Sequence, residues 1–443
     1  MNFRSQNSQR FQLPFGLSLL AHSTPRAVID ILNKLHLSPS FDTISATAVT
    51  LANGCINEAI NVARGPHVLA YDNIQASTSP LIEQQEGAPA KVRSGTVSVI
   101  YPALNADPEN MALSQIRKNW CKTEGLSYAH DIRQTREQLE FHFEQLVVHT
   151  VQVLRHLKGS EDIVNRQDFQ HLERRKLPAG YATKQYPLRA SHIEEASVQG
   201  NIAVVENIYI SQLRMLETDF DDRAIPCIND QLTNARIRTA QLSRTSDDNA
   251  FTRLEFLQLG FGLFHAHMNL IWAVLSVHRG SFETVGSLAY FFNILDLRRL
   301  GSARPAYYPL LAAFNWILDG LLLDCWAKEC GCDSLADFQP MEQEPGHLRD
   351  MAHRILRRYL SPTLQEKDDE QSDQVRRRVA LLLRDLLYVR ELGVAIKDGD
   401  WGRIEDILCP LAKLFRGAGS NNYCAEILHF IHQLKKIWPF AFG

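Results

Sequence analysis

Three acidic side chains stand where phosphate chemistry could be done. Asp72 follows the apolar run His67-Val68-Leu69-Ala70-Tyr71, and Asp230 follows Ile225-Pro226-Cys227-Ile228-Asn229. Glu426 lies in the first turns of the late apolar helix that continues through Ile427-Leu428-His429-Phe430. A carboxylate at the C-terminal tip of a buried strand is rigidly held and open to solvent on one side, which suits a metal ligand. Two divalent ions about 4 Å apart, held by shared carboxylates, activate the attacking oxygen in phosphoryl transfer and stabilise the leaving one. Mg2+ or Mn2+ is the cofactor such a set implies, because hard cations prefer carboxylate and water oxygens. One Asp would bridge both ions, with the other Asp and Glu426 each binding one. The competing reading makes Asp230 the cap of a helix starting near Thr233, and on position alone the cap has the stronger claim. Asn73 and His265 are candidates to support the ligands, and Glu206 or Asp324 could substitute for Glu426.

The elements that must position these groups follow from the pattern. Apolar spacing predicts helices over 24–35, with Thr24 as cap and Pro25 at the first helical position, and over 40–63. The segment 67–73 reads as a strand, and 91–104 alternates as its antiparallel partner across a loop running through Pro89. Residues 111–156 read as helical, 191–216 as one long helix, 225–230 as a strand with Pro226 admissible only at a start or edge, and 254–262 as an edge strand. Strand, hairpin, helix and strand-with-Asp is the order of an RNase H-like sheet. The predicted fold is therefore α+β and helix-dominated, an RNase H-like mixed sheet with a large all-helical insertion. The expected divisions are a helical lead-in (1–64), sheet and helices (65–280), a helical insertion (281–405) and a closing helix with the third carboxylate (406–443).

Composition narrows the classes. The 443 residues are 45% hydrophobic, enough for one large core or two ordinary ones, and the net charge of −3 gives no global basic field for nucleic acid. Eight scattered cysteines without CxxC spacing exclude a zinc ribbon and a dense disulfide framework, so reduced thiols inside a cell are expected. The run 308–326 approaches membrane-spanning length, but Asn315, Asp319 and Asp324 fall inside it, and a buried helix in a soluble protein is expected. Pro14 and Gly16 interrupt the mildly apolar 11–21, which argues against a signal peptide.

Several other features have plain structural readings. The basic run Arg174-Arg175-Lys176 is most simply a solvated surface, with a phosphate-contacting loop the minority reading. Arg376-Arg377-Arg378 opens a helix, a poor place for cations, and is expected to be held by the acidic linker 366–373. His265, His267 and His278 share one apolar helix, and core or cap roles outweigh a metal role. Gly417-Ala418-Gly419-Ser420 lacks the Lys-Ser/Thr and the preceding strand of a phosphate loop, so a helix break fits better.

YDNIQASTSPLIEQQEGAPAKVRSGT, IPCINDQLTNARIR, GFGLFHAHMNLIWAV, LLRDLLYVRELGVAI and FRGAGSNNYCAEILHFIHQLK together resemble the domain of unknown function 6589 family, abundant in mushroom-forming fungi. The resemblance runs from about Leu17 to Trp438. It implies a multicopy family without an established activity, for which descent from mobile elements is suspected, and it supplies no catalytic residues. The order Asp72–Asp230–Glu426, with helices before the Glu, is also that of insertion-bearing DDE transposases. Similar proteins continue beyond the block matching 429–438, and no zinc finger or helix-turn-helix is recognisable, so a truncated or domesticated copy is one expectation. Two readings follow. One is a metal-dependent DNA nuclease or strand transferase, intracellular and nuclear if it acts on DNA. The other is an inactive helical protein-interaction module.

Overall fold

A computed structural model describes residues 10–77, 92–332, 334–360, 370–440 and 442. Helices α1 (Gln12–Ala21), α2 (Arg26–Lys34) and α3 (Phe41–Ala63) lead into strands β1 (His67–Ser77) and β2 (Val92–Pro102). Helices α4 (Leu113–Trp120) and α5 (Arg136–Gln152) come next. They are followed by β3 (Tyr186–Pro187), α6 (Val198–Glu206), β4 (Ile225–Asn229), α7 (Gln231–Ser243) and β5 (Leu257–Phe261). The remainder is helical: α8 (Leu263–His278), α9 (Leu288–Ile294), α10 (Tyr307–Glu329), α11 (Pro345–Tyr359), α12 (Glu370–Asp398), α13 (Trp401–Gly417) and α14 (Asn421–His432). The chain is thus α+β and helix-dominated, with one mixed five-stranded sheet.

By contact the chain forms two units. The first comprises Met1–Ser114 and Thr183–Gly260, the second Gln115–Ala182 and Phe261–Ala441. Residues 115–182, which sequence order placed within the sheet region, therefore belong with the later helices.

The first unit is built on the sheet, in the order β3-β2-β1-β4-β5. β1 and β2 are antiparallel from His67↔Pro102 to Ser77↔Val92, and β3 is antiparallel to β2. β4 runs parallel to β1, with Leu69 opposite Cys227 and Ala70 opposite Ile228. Parallel neighbours need a crossover connection, which α6 and its surroundings supply. Pro226 is tolerated on this inner strand because pairing with β1 begins one residue later, at Cys227. Alternate residues Leu69, Tyr71, Ile225 and Cys227 are buried on one face beneath Ile202, Val205 and Tyr209. Phe220 and Phe256, with ring centroids 4.4 Å apart, fill the space beside Tyr209 and Phe251.

The predicted long helix over 191–216 is shorter in the structure. Ser191 pairs with Thr96 of β2 and extends the sheet, and Ser197 caps α6 by accepting the Gly200 amide. The helix then widens into a π-turn over Asn207–Gln212. Two local polar contacts, a bridge and a cap, override the apolar periodicity before residue 198. The loop expected between the hairpin strands lies outside the described residues.

In the second unit, α10 is long and apolar enough to cross a membrane by composition alone. Half of its most apolar window is buried within the protein, and Asp319 pairs with Arg390 (2.6 Å) and His156 (2.9 Å). All eight cysteines are free thiols. Part of the expected acidic linker, 366–369, lies outside the described residues. Residues 370–373 already belong to α12, and Arg378 donates to the Val285 carbonyl at 2.6 Å.

A candidate carboxylate centre on two parallel strands

Register sets the geometry of the first two carboxylates. Continuing Leu69↔Cys227 and Ala70↔Ile228 along the parallel pair brings Asp72 level with Asp230, and paired residues of parallel strands share a sheet face. Adjacent strands lie about 4.8 Å apart. Asp72 is exposed, and its Oδ1 accepts the Asn73 amide at 2.8 Å. Asp230 is half-buried and caps α7, with Oδ1 accepting the Thr233 amide at 2.6 Å. The cap reading and the strand-tip reading of Asp230 therefore both hold, since the strand ends where the helix starts.

A third carboxylate joins them that sequence reasoning missed. Glu195 is only 1% exposed, in the turn just before the Ser197 cap. Burial first, then the charges of Asp72 and Asp230, push its carboxyl up to about 7, against the lowering effect of Thr233 and Arg236. Its Oε1 accepts the Thr233 hydroxyl at 3.1 Å, and its Oε2, also buried, has no hydrogen-bond partner. Such an orphaned carboxylate oxygen is costly unless something positive meets it.

The segment carrying Glu195 is held from several sides. Asn201 Nδ2 and Arg236 donate to its backbone carbonyl at 2.7 and 3.0 Å. Two glycines permit the approach. A Cβ on Gly95 would lie 2.2 Å from the Ser191 carbonyl oxygen, and one on Gly200 would lie 2.0 Å from that of Glu194. Neither distance tolerates a side chain. The signal that could have found Glu195 was Ser197 as a cap, which would have ended the helix and exposed the Glu194-Glu195 pair as a turn.

Glu426, the third carboxylate predicted by sequence order, lies on α14 of the second unit and is 2% exposed. Glu206 is an exposed residue at the end of α6, and Asp324 pairs with Lys328 on α10. Asn73, beside Asp72, is exposed. His265 sits on α8 of the second unit.

Hard oxygen donors, one of them buried and unpartnered, fit a divalent cation such as Mg2+ or Mn2+. Among the described residues, three donors mutually within 4.8 Å occur instead at His149, His171 and Glu391. The carboxylates of the first unit do not form such a one-ion set. A pair of ions about 4 Å apart asks for donors spread along the pair, not gathered on one point.

In the basic run 174–176, Arg175 and Lys176 are exposed and Arg174 is half-buried, and all three are ion-paired. Arg174 pairs with Asp406 and Glu137 at 3.0 and 3.1 Å and stacks over Phe141, Arg175 pairs with Glu405, and Lys176 pairs with Glu173. Both carboxylate oxygens of Asp400 accept the Arg174 and Arg175 amides at 2.9 Å. His267 is a satisfied core histidine, bonded to Tyr307 and the Val389 carbonyl, and His278 is bonded to Asp385.

The profile of a family of unknown function, DUF6589, fits residues 122–442. The chain belongs to that family. No curated protein and no solved structure matches it. Within the DUF6589 stretch lie Glu195, Asp230 and Glu426, whereas β1 and Asp72 precede it.

Proposed function

We propose that the first unit is an RNase H-like core descended from a fungal transposase, acting on DNA as a metal-dependent nuclease or strand transferase. The strand order 3-2-1-4-5, with an antiparallel β1–β2–β3 meander and β4 parallel to β1, supports the RNase H-like reading. The observation that carries the activity is Glu195, 1% exposed with a buried Oε2 that has no hydrogen-bond partner, on a turn tied through Thr233 to Asp230. Asp72 and Asp230 would hold Mg2+ or Mn2+, and Glu195 would complete the set. When bound, such ions supply Lewis-acid activation of the phosphate and of the attacking oxygen. The chain's own part is positioning: the α7 cap fixes Asp230, the Thr233 hydroxyl orients Glu195, and Asn201 with Arg236 pins the turn behind it. A DNA substrate places the protein in the nucleus.

Supercoiled DNA incubated with Mg2+ or Mn2+ tests this reading. Nicking by the wild type, with a loss of at least a hundredfold in Asp72→Asn and Asp230→Asn, is expected. Equal nicking in wild type and variants would overturn it. Glu195→Gln and Glu426→Gln in the same assay decide which glutamate belongs to the centre.

The alternative is an inactive, domesticated helical interaction module. It is favoured by the family match starting at residue 122, after β1 and Asp72. On that reading no variant changes DNA, and the helices of the second unit carry the function.

A further inference from the structure

The second unit contains a buried set of donors with no part in the function above. His149 stands on the last turn of α5, Glu391 on α12, and His171 in the segment that follows α5. Their ligating atoms all lie within 4.8 Å of one another. His149 Nε2 is 2.8 Å from Glu391 Oε2, both side chains are 1% exposed, and the two imidazole centroids are 4.5 Å apart.

The protonation pattern follows from the neighbours. Gln145 donates its amide nitrogen to the Leu172 carbonyl, so its Oε1 must accept, and His171 Nδ1 donates to it at 2.7 Å. That fixes the proton of His171 on Nδ1 and leaves Nε2 as a bare lone pair. Nε2 is buried and has no hydrogen-bond partner. Glu391 is held between His149 Nε2 and the buried guanidinium of Arg403, so its carboxylate already faces donors. Neutral imidazole and ionised carboxylate are the forms that ligate. Arg403 grips Glu391 through two bonds of 2.9 and 2.8 Å and is itself paired with Asp398 at 2.7 Å. Counting Glu391, Arg403 and Asp398 together, the cluster carries one net negative charge.

We infer that His149, His171 and Glu391 form a structural site for a divalent transition-metal ion, with Zn2+ the best fit to two imidazoles and one carboxylate. Gln145 and Arg403 orient the ligands, the role that outer partners play around metal sites. Binding requires the His149 proton to sit on Nδ1 instead of on the Nε2 that faces Glu391, so that the imidazole ligates as the neutral form, and it gives the orphaned His171 Nε2 its partner. The ion would fasten α5, α12 and the 171 segment together.

The test is metal content and chelator response of the full chain after Zn2+ loading and desalting. His171→Ala is the variant of choice, because it leaves the His149–Glu391–Arg403 bonds intact. The wild type should retain about one Zn2+ per chain and lose several degrees of Tm on chelation. His171→Ala should retain none and show no chelator response. Retention of no Zn2+ by folded wild type would overturn the site and reduce the cluster to a hydrogen-bonded ion pair. Equal retention by His171→Ala would also overturn it. Because Asp72, Asp230 and Glu195 remain intact in this variant, failure here leaves the DNA-cleavage reading standing, and the reverse.

Discussion

Thr233 donates its hydroxyl to Glu195 Oε1 at 3.1 Å while its amide serves Asp230 at 2.6 Å. One residue thus ties the buried carboxylate to the strand-tip carboxylate and sets their spacing. Thr233→Val keeps the amide bond and removes the hydroxyl, leaving a second Glu195 oxygen without a donor. It should destabilise the protein by about 1–3 kcal/mol, and cleavage, if measured, should fall with little change in DNA affinity. Chemical denaturation and a nicking assay read the two effects.

Glu195 makes stability depend on pH. Its folded value of about 7 lies above the ordinary 4.5, so the folded state holds the proton more tightly. The contribution is complete below pH 4.5 and is lost as pH rises towards and through 7. Glu195→Gln removes that loss and should be more stable than wild type at pH 8, by on the order of 1 kcal/mol after solvent screening. Mg2+ should restore wild type at pH 8 and leave the variant less affected. Parallel Tm-against-pH curves for the two proteins would contradict the geometry.

Asp230 has two separable roles. Asn is as good a cap as Asp, so Asp230→Asn should keep native stability, whereas Asp230→Ala should lose about 1 kcal/mol. Only the metal-ligand role is lost in both. Urea unfolding of the pair separates cap from ligand.

The Glu391–Arg403 pair behaves oppositely to Glu195. Both side chains are 1% exposed, and Glu391 is held well below the usual carboxylate range by His149 and Arg403 against the cost of burial. Its contribution is therefore present above pH 4.5 and lost as pH falls towards the depressed value. Arg403→Met strands a buried carboxylate and should cost about 3–5 kcal/mol at neutral pH. Thermal unfolding between pH 4 and 7 should show the deficit shrinking as Glu391 takes up a proton.

Arg174 gives a negative control for nucleic-acid contact. Its guanidinium is occupied by Asp406, Glu137 and Phe141. Arg174→Ala should lower stability by roughly 1–2 kcal/mol and leave the salt dependence of any DNA binding unchanged. A shallower salt slope in that variant would restore the phosphate-contact reading.

The parts of the site legible in sequence were those set by short-range pattern. Asp72 and Asp230 each end an apolar run, and both strands formed, but β1 continues through Ser77, so that Asp72 lies in mid-strand while Asp230 directly follows β4. The parallel pairing that brings them level is a long-range choice, and the sequence records only its consequence, the helix-containing crossover. Glu195 was hidden because Ile193, Val198, Ile202 and Val205 sustain a helical rhythm across 191–216. What breaks the rhythm is contact with β2 at Ser191, made possible by Gly95, together with the Ser197 cap. The buried cluster of the second unit was invisible for a similar reason. His149 falls in a periodic helix, and Glu391 is 242 residues away in the chain.

The central claim, that Asp72 of β1 and Asp230 just past β4 hold divalent cations, is tested most directly by anomalous diffraction from crystals soaked in millimolar Mn2+. The account predicts anomalous density roughly 2–2.5 Å from carboxylate oxygens of Asp72 and Asp230, absent in the Asp72→Asn, Asp230→Asn double variant. Well-ordered carboxylates with no density beside them at saturating Mn2+ would contradict it.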